Sequence, residues 1–139
     1  MTNKKKRIAI LGSTGSIGTQ ALDVIKSHPD LFEVEVLTAN RNSDLLIEQS
    51  IAFKPNCVVI VDQSKFKEVQ AALDPHHIKV YAGKDALAQV VEMDSIDLVL
   101  TALVGYSGLK PTINAIKNKK QIGLANKETL VVAGSLITN

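Results

Sequence analysis

The sequence predicts an α/β domain, a doubly wound parallel sheet with helices on both faces. Three observations predict it. Apolar runs of strand length alternate with segments of helical period. The strand runs are near-continuous Val, Ile and Leu, as expected where both sheet faces are covered. The first of them passes through a glycine turn directly into a helix. Right-handed crossovers then favour helices on both sides of one sheet. The 139 residues fit one domain spanning 1–139, since a single core commonly serves about 100–200 residues. No repeat, low-complexity segment or linker divides them.

In order, residues 7–11 (RIAIL) read as a buried strand and 16–26 as a helix with Ile17, Ala21, Val24 and Ile25 on one face. Residues 33–39 form a second strand. Residues 43–53 form a helix that Ser43 could cap, with Leu46, Ile47, Ile51 and Ala52 along one side. A third strand spans 57–61, and a helix spans 64–73, ending before Pro75. Residues 79–82 read as a short strand, 84–93 as a helix, 97–103 as a strand and 109–117 as a helix. A strand at 121–125 and a helical pattern from 127 to about 137 complete the series.

Composition narrows the function. Sixteen basic against fourteen acidic residues leave a net charge of +2, no basis for a nucleic-acid surface. The run Lys4-Lys5-Lys6-Arg7 reads as a solvated arm. Cys57 is the single cysteine, so no internal disulfide can form, which fits a reducing compartment and a cytoplasmic location. No Cys/His spacing matches a zinc site, and His28, His76 and His77 read as turn residues beside prolines. No apolar stretch reaches the roughly 20 residues of a membrane helix. The glycine turn interrupts any signal-peptide core.

The chemistry lies in that turn. Residues 7–11 lead into Gly12-Ser13-Thr14-Gly15-Ser16-Ile17-Gly18 and then a helix. Glycines let backbone N–H groups approach a pyrophosphate, and a helix N-terminus adds free donors and a positive dipole end. Gly18 would allow close packing of helix on strand. The spacing G-x-x-G-x-x-G departs from G-x-G-x-x-G at Ser13, but strand, turn and helix occur in the order a dinucleotide site needs. A purely structural turn is the competing reading. NAD sites usually place an acid at the end of the second strand; here it ends Thr38-Ala39-Asn40-Arg41-Asn42. Arg41 offers a planar cation matching a 2′-phosphate, which favours NADP(H); a solvent-facing arginine is the bland alternative.

Gly105 and Gly108 follow the 97–103 strand, at the edge where open α/β sheets bind ligands. Asn126-Lys127-Glu128 follows the last strand at the same edge. Asn126 suits an N-cap and Glu128 the helix dipole, which by itself explains both. Lys127 reads equally as a surface cation and as a group meeting a substrate phosphate. The apolar Leu130-Val131-Val132 and Leu136-Ile137 either pack back on the sheet or face a missing partner, in which case the chain is the first domain of a longer protein.

Together, ILGSTGSIGTQALDVI at 10–25, ANRN at 39–42, TALVGYSGLKPTINAI at 101–116 and LANKETLV at 124–131 resemble the N-terminal domain of the 1-deoxy-D-xylulose 5-phosphate reductoisomerase family over essentially the whole chain. The resemblance implies a Rossmann-like NADPH-binding domain. The family's enzyme rearranges 1-deoxy-D-xylulose 5-phosphate and reduces the resulting aldehyde to 2-C-methyl-D-erythritol 4-phosphate in non-mevalonate isoprenoid synthesis. Mg²⁺ or Mn²⁺ helps hold the substrate, and the family is generally homodimeric. By motif, Thr14, Gly15, Ser16 and Ile17 would line the pyrophosphate. Asn40, Arg41 and Asn42 would meet the adenosine ribose and 2′-phosphate, arginine keeping the charge where many relatives carry lysine. Asn126 and Glu128 would lie near the cofactor, and Lys127 would reach the substrate. The acidic metal ligands belong to a second domain, so the chain alone is expected to bind NADP(H) without turnover. Two other readings are an NADP-dependent reductase of the aspartate-semialdehyde dehydrogenase type and a non-catalytic dinucleotide sensor. The first needs a reactive cysteine, and Cys57 in an apolar strand suits that poorly.

Overall fold

The computed structural model describes residues 5–103 and 109–138. Six strands form one parallel sheet: β1 (Lys6–Leu11), β2 (Phe32–Ala39), β3 (Cys57–Ile60), β4 (Lys79–Ala82), β5 (Leu98–Thr101) and β6 (Gln121–Leu124). Their order is β4-β3-β2-β1-β5-β6. The chain therefore moves outward from β1 to β4 and then returns to the other side of β1. Crossovers of one hand place helices on opposite faces when the direction of travel reverses. Accordingly α1 (Ser16–Lys26), α2 (Ser43–Phe53) and α3 (Phe66–Leu73) pack on one face, and α4 (Lys84–Val90) and α5 (Leu109–Lys117) on the other. The last helix, α6 (Lys127–Thr138), returns to the first face beside α1.

The alternation of β1 divides the core. Ile8 and Ile10 meet Leu22, Ile25, Leu46 and Leu130 on the first face. Ala9 and Leu11 meet Leu87, Val91 and Ala115 on the second. All four β1 residues are fully buried, as the central strand of a doubly covered sheet requires.

Helix faces are rotated from the sequence expectation. In α1, Gly18, Ala21, Leu22 and Ile25 are buried while Ile17 is 48% exposed. In α2, the buried set is Ser43, Leu46, Gln49 and Ser50, with Ile51 outside. Ser43 does not cap α2. Asn42 is the N-cap and accepts the Leu45 N–H at 3.2 Å, while the Ser43 hydroxyl donates to Glu68 at 2.7 Å. Several ends also shift: residues 63–65 form a 3-10 turn before α3, and α4 stops at Val90.

Two further features were not foreseen. The β1–β2 register slips between Ile8↔Val34 and Ala9↔Val36, leaving Glu35 as an extra residue. A slip of one residue exchanges faces, so Val34 and Leu37 share one core while Val36 faces the other. The buried Glu35 carboxylate accepts the Asn56 side-chain amide at 2.6 Å. At the same end of the sheet, Arg7 and Asp97 join β1 to the segment entering β5. The Asp97 carboxylate accepts Arg7 Nε–H at 3.1 Å, a second guanidinium N–H at 3.2 Å and the Arg7 backbone N–H at 2.9 Å. The carboxylate's hydrogen bond raises the Arg7 pKa further above its ordinary value. Lys6 and Arg7 thus belong to β1, not to a solvated arm.

A half-exposed bidentate pair that also satisfies a backbone donor is worth more than a simple surface ion pair. Asp97→Ala is expected to destabilise the fold by about 2 kcal/mol in chemical denaturation. An unchanged midpoint would show that solvent screens the pair.

Candidate functional site

The site lies at the carboxyl ends of β1, β2, β5 and β6, where the strand order reverses. After β1, Gly12 adopts φ +84°, a left-handed conformation natural to glycine. The turn delivers the chain to Gly15, the N-cap of α1, whose backbone is extended (φ −74°, ψ 170°). No side chain caps this helix, and no acid sits in its first turn. A Cβ built at Gly15 would meet nothing nearer than the Gly12 carbonyl at 3.9 Å, so the space before the helix is open. Uncapped N–H groups, a positive dipole end and open space are the features by which a helix N-terminus can receive an anion.

Gly18 is required for a different reason. A Cβ there would stand 2.2 Å from the Gly12 carbonyl oxygen and 2.7 Å from Ser13 Cα. The first turn of α1 therefore presses directly on the turn that leaves β1.

Beneath the surface the turn is held by polar groups. Ser13 is fully buried, and its N–H donates to the Thr38 carbonyl at 2.8 Å. The Gly12 N–H donates to Thr38 Oγ1 at 2.9 Å. From α2, Gln49 Nε2 donates to the Ser13 carbonyl at 2.9 Å, and the Ser13 hydroxyl donates to Gln49 Oε1 at 2.8 Å. Neither Thr38 nor Gln49 was singled out from sequence. The available signal was a polar residue three positions after Leu46, inside the apolar stripe of α2.

The residues singled out divide into two groups. Thr14, Gly15 and Ser16 stand at the mouth of α1, Thr14 half-buried and the other two exposed. A crevice of about 650 Å³ opens between α1 and the ends of β5 and β6, lined by Ile17, Gln20, Leu103, Leu124, Asn126 and Glu128 among others. Ile17 thus meets Asn126 and Glu128 across one cleft. Asn126 caps α6 as expected, accepting the Thr129 N–H at 2.8 Å. Lys127 begins α6; its side chain, like Gly105 and Gly108, lies outside the described residues.

Asn40, Arg41 and Asn42 sit apart from this crevice, exposed at the end of β2. Arg41 makes no ion pair among the described residues. Nearby, the hydrogen bonds of Ser64 hold the Asp62 carboxyl below its ordinary pKa, with smaller help from Lys65 and Arg41.

Cys57 offers no nucleophile. It is buried in β3, and burial pushes its thiol up to about 11, with the Glu35 charge adding to the effect. Among the described residues no group of three or more His, Cys, Asp or Glu side chains converges to hold a metal. No helix among them is long and apolar enough to cross a membrane.

Topology, glycine turn and switch-point crevice define a Rossmann-like nucleotide-binding class of domain. The model of the 1-deoxy-D-xylulose 5-phosphate reductoisomerase family matches residues 8–134. The chain is 64% identical over 135 residues to the 1-deoxy-D-xylulose 5-phosphate reductoisomerase of Bacteroides thetaiotaomicron, covering 97% of this chain and 35% of that protein. It is 46% identical to the corresponding protein of Chloroherpeton thalassium, covering 96% of this chain and 35% of the relative. Among solved structures it is similar to the Zymomonas mobilis reductoisomerase in complex with NADPH. The TM-score is 0.82 at 38% identity, covering 97% of this chain and 35% of the other. A reductoisomerase complex with NADPH, fosmidomycin and magnesium gives a TM-score of 0.81 at 31% identity, covering 96% and 33%. The chain belongs to the 1-deoxy-D-xylulose 5-phosphate reductoisomerase family, and it spans about a third of the length of the curated relatives it matches.

The Gly12–Gly18 contact carries a stability prediction. Gly18→Ala is expected to cost about 3 kcal/mol, because the contact is with backbone that cannot yield. Gly15→Ala, with open space and an ordinary φ, should cost under about 1 kcal/mol. Urea midpoints of the two variants check the difference.

Proposed function

We propose that this chain is the NADPH-binding domain of a cytoplasmic 1-deoxy-D-xylulose 5-phosphate reductoisomerase, a homodimer when intact. The observation that carries the reading is the uncapped N-terminus of α1, open at the switch point and continuous with the crevice beside β5 and β6. In this reading the amides of Thr14, Gly15, Ser16 and Ile17 receive the pyrophosphate. Arg41 binds the 2′-phosphate, with Asn40 and Asn42 beside the ribose. Ile17, Asn126 and Glu128 line the nicotinamide end, and Lys127 reaches toward the substrate's phosphorylated sugar.

NADPH, when bound, supplies the hydride that reduces the rearranged aldehyde. The chain's own contribution is placement. The apolar side chains of Ile17, Leu103 and Leu124 shape a floor from which water is excluded by a flat ring. The exposed Glu128 carboxylate stands at the cleft's rim. In this reading a Mg²⁺ or Mn²⁺ ion that holds the substrate oxygens would be bound by acidic residues outside this chain.

Calorimetric titration of the purified chain is expected to give NADPH affinity at least about tenfold above NADH, the value of one charge-assisted phosphate contact. Arg41→Ala should collapse that gap. Equal affinities in the unaltered chain would remove Arg41 from the site. The chain with Mg²⁺ and substrate should yield no product, and turnover by it would refute the two-domain arrangement. In the intact enzyme, Lys127→Ala should weaken substrate affinity with NADPH binding preserved; substrate kinetics check this.

A further inference from the structure

We infer that Gln49 is a positioning residue of the phosphate loop, although it lies on α2 and stands beneath the cofactor seat. The inference rests on the nucleotide-binding reading above. Gln49 is a buried amide whose two ends are both engaged with one residue of the loop. Its N–H donates to the Ser13 carbonyl at 2.9 Å, and its carbonyl accepts the Ser13 hydroxyl at 2.8 Å. Thr38 holds the other side of the loop, receiving the Gly12 N–H on its hydroxyl and the Ser13 N–H on its carbonyl. The peptide units of Gly12 and Ser13 are thereby tied on both sides before Thr14 and Gly15 reach the surface.

The loop is otherwise restrained by the packing of Gly18 against it and by a 3.2 Å bond from the Ser13 hydroxyl to the Thr38 carbonyl. Gly12 and Gly15 carry no side chain, and Gly15 provides no cap. A loop of this composition costs conformational entropy to order. Ligand affinity falls by whatever part of that cost is left to the ligand. Gln49 and Thr38 order the loop in advance. Gln49 also belongs to the helix that begins beside Arg41, at the N-cap Asn42. One rigid element therefore supports the pyrophosphate seat at its middle and the 2′-phosphate seat at its start. The pyrophosphate is common to NADPH and NADH. Loss of Gln49 should therefore weaken both and leave their ratio unchanged, unlike loss of Arg41.

The test uses Gln49→Met, which keeps the length and volume of the side chain and removes both hydrogen bonds, and Ser13→Ala, which removes only the hydroxyl. NADPH and NADH are titrated separately against each variant, and amide hydrogen exchange is followed at Gly12 and Ser13. Gln49→Met is expected to weaken both nucleotides by about tenfold, with the NADPH/NADH ratio preserved. The Gly12 and Ser13 amides should exchange faster while amides of the β-sheet core keep their protection. Ser13→Ala should show the same pattern to a smaller degree, and it decides the matter if Gln49→Met does not fold. A purely structural role would lower global stability without the local exchange or the parallel loss of affinity. Wild-type affinities in both variants would overturn the inference and leave the nucleotide reading intact. Absence of binding by the unaltered chain would overturn both.

Discussion

The contact between Gly18 and the carbonyl of Gly12 is the constraint on which the site depends. It brings the first turn of α1 onto the turn that leaves β1, closer than any side chain permits. Because β1 is a central strand with β2 and β5 on its two sides, this contact places the helix N-terminus at the point where strand order reverses. A positive dipole end, free N–H groups and a crevice then coincide. Any residue larger than glycine would push α1 outward, shift Leu22 and Ile25 from the core and move the helix N-terminus off the sheet edge together.

The polar groups under the loop are buried at little net cost because they satisfy one another. Ser13, Thr38 and Gln49 are each less than a tenth exposed, and each has a partner within the cluster. A buried polar group left unpaired costs roughly 1–3 kcal/mol, so removing one member strands the others. Such a network makes the loop's geometry unique in a way apolar packing could not. At the opposite end of the sheet, Arg7–Asp97 and the Glu35 bulge with Asn56 serve register, fixing how β1 meets β5 and β2. Site and scaffold thus use polar contacts for different purposes at the two ends of the same strands.

The helix α6 packs back on its own sheet, one of the two readings that its sequence allowed. Leu130 and Ala133 are buried against α1 and β1, and a Cβ at Gly123 would stand 2.3 Å from the Thr129 methyl, so α6 lies tight on β6. Val131 and Val132 nonetheless remain about 60% exposed. Its described outer residues are thus partly apolar.

The strand–turn–helix order at residues 7–26, the alternation of apolar strands with helices and the missing acid after β2 were legible in the chain because they are local patterns. Period, turn chemistry and helix capping are set by neighbours in sequence; Asn126 was read as a cap for that reason and is one. The assignment of Ser43 as a cap failed by one residue, since Glu68, twenty-five positions away, takes its hydroxyl. The burial of Gln49, the Glu35 bulge and the outward turn of Ile17 share that cause. Each depends on a partner brought near only when the sheet assembles. The sequence by itself determined the class of fold and the position of the glycine turn at the head of α1, through glycine stereochemistry and periodicity. Only the tertiary structure decided which polar side chain holds that turn, because hydrogen bonds between distant segments leave no periodic mark.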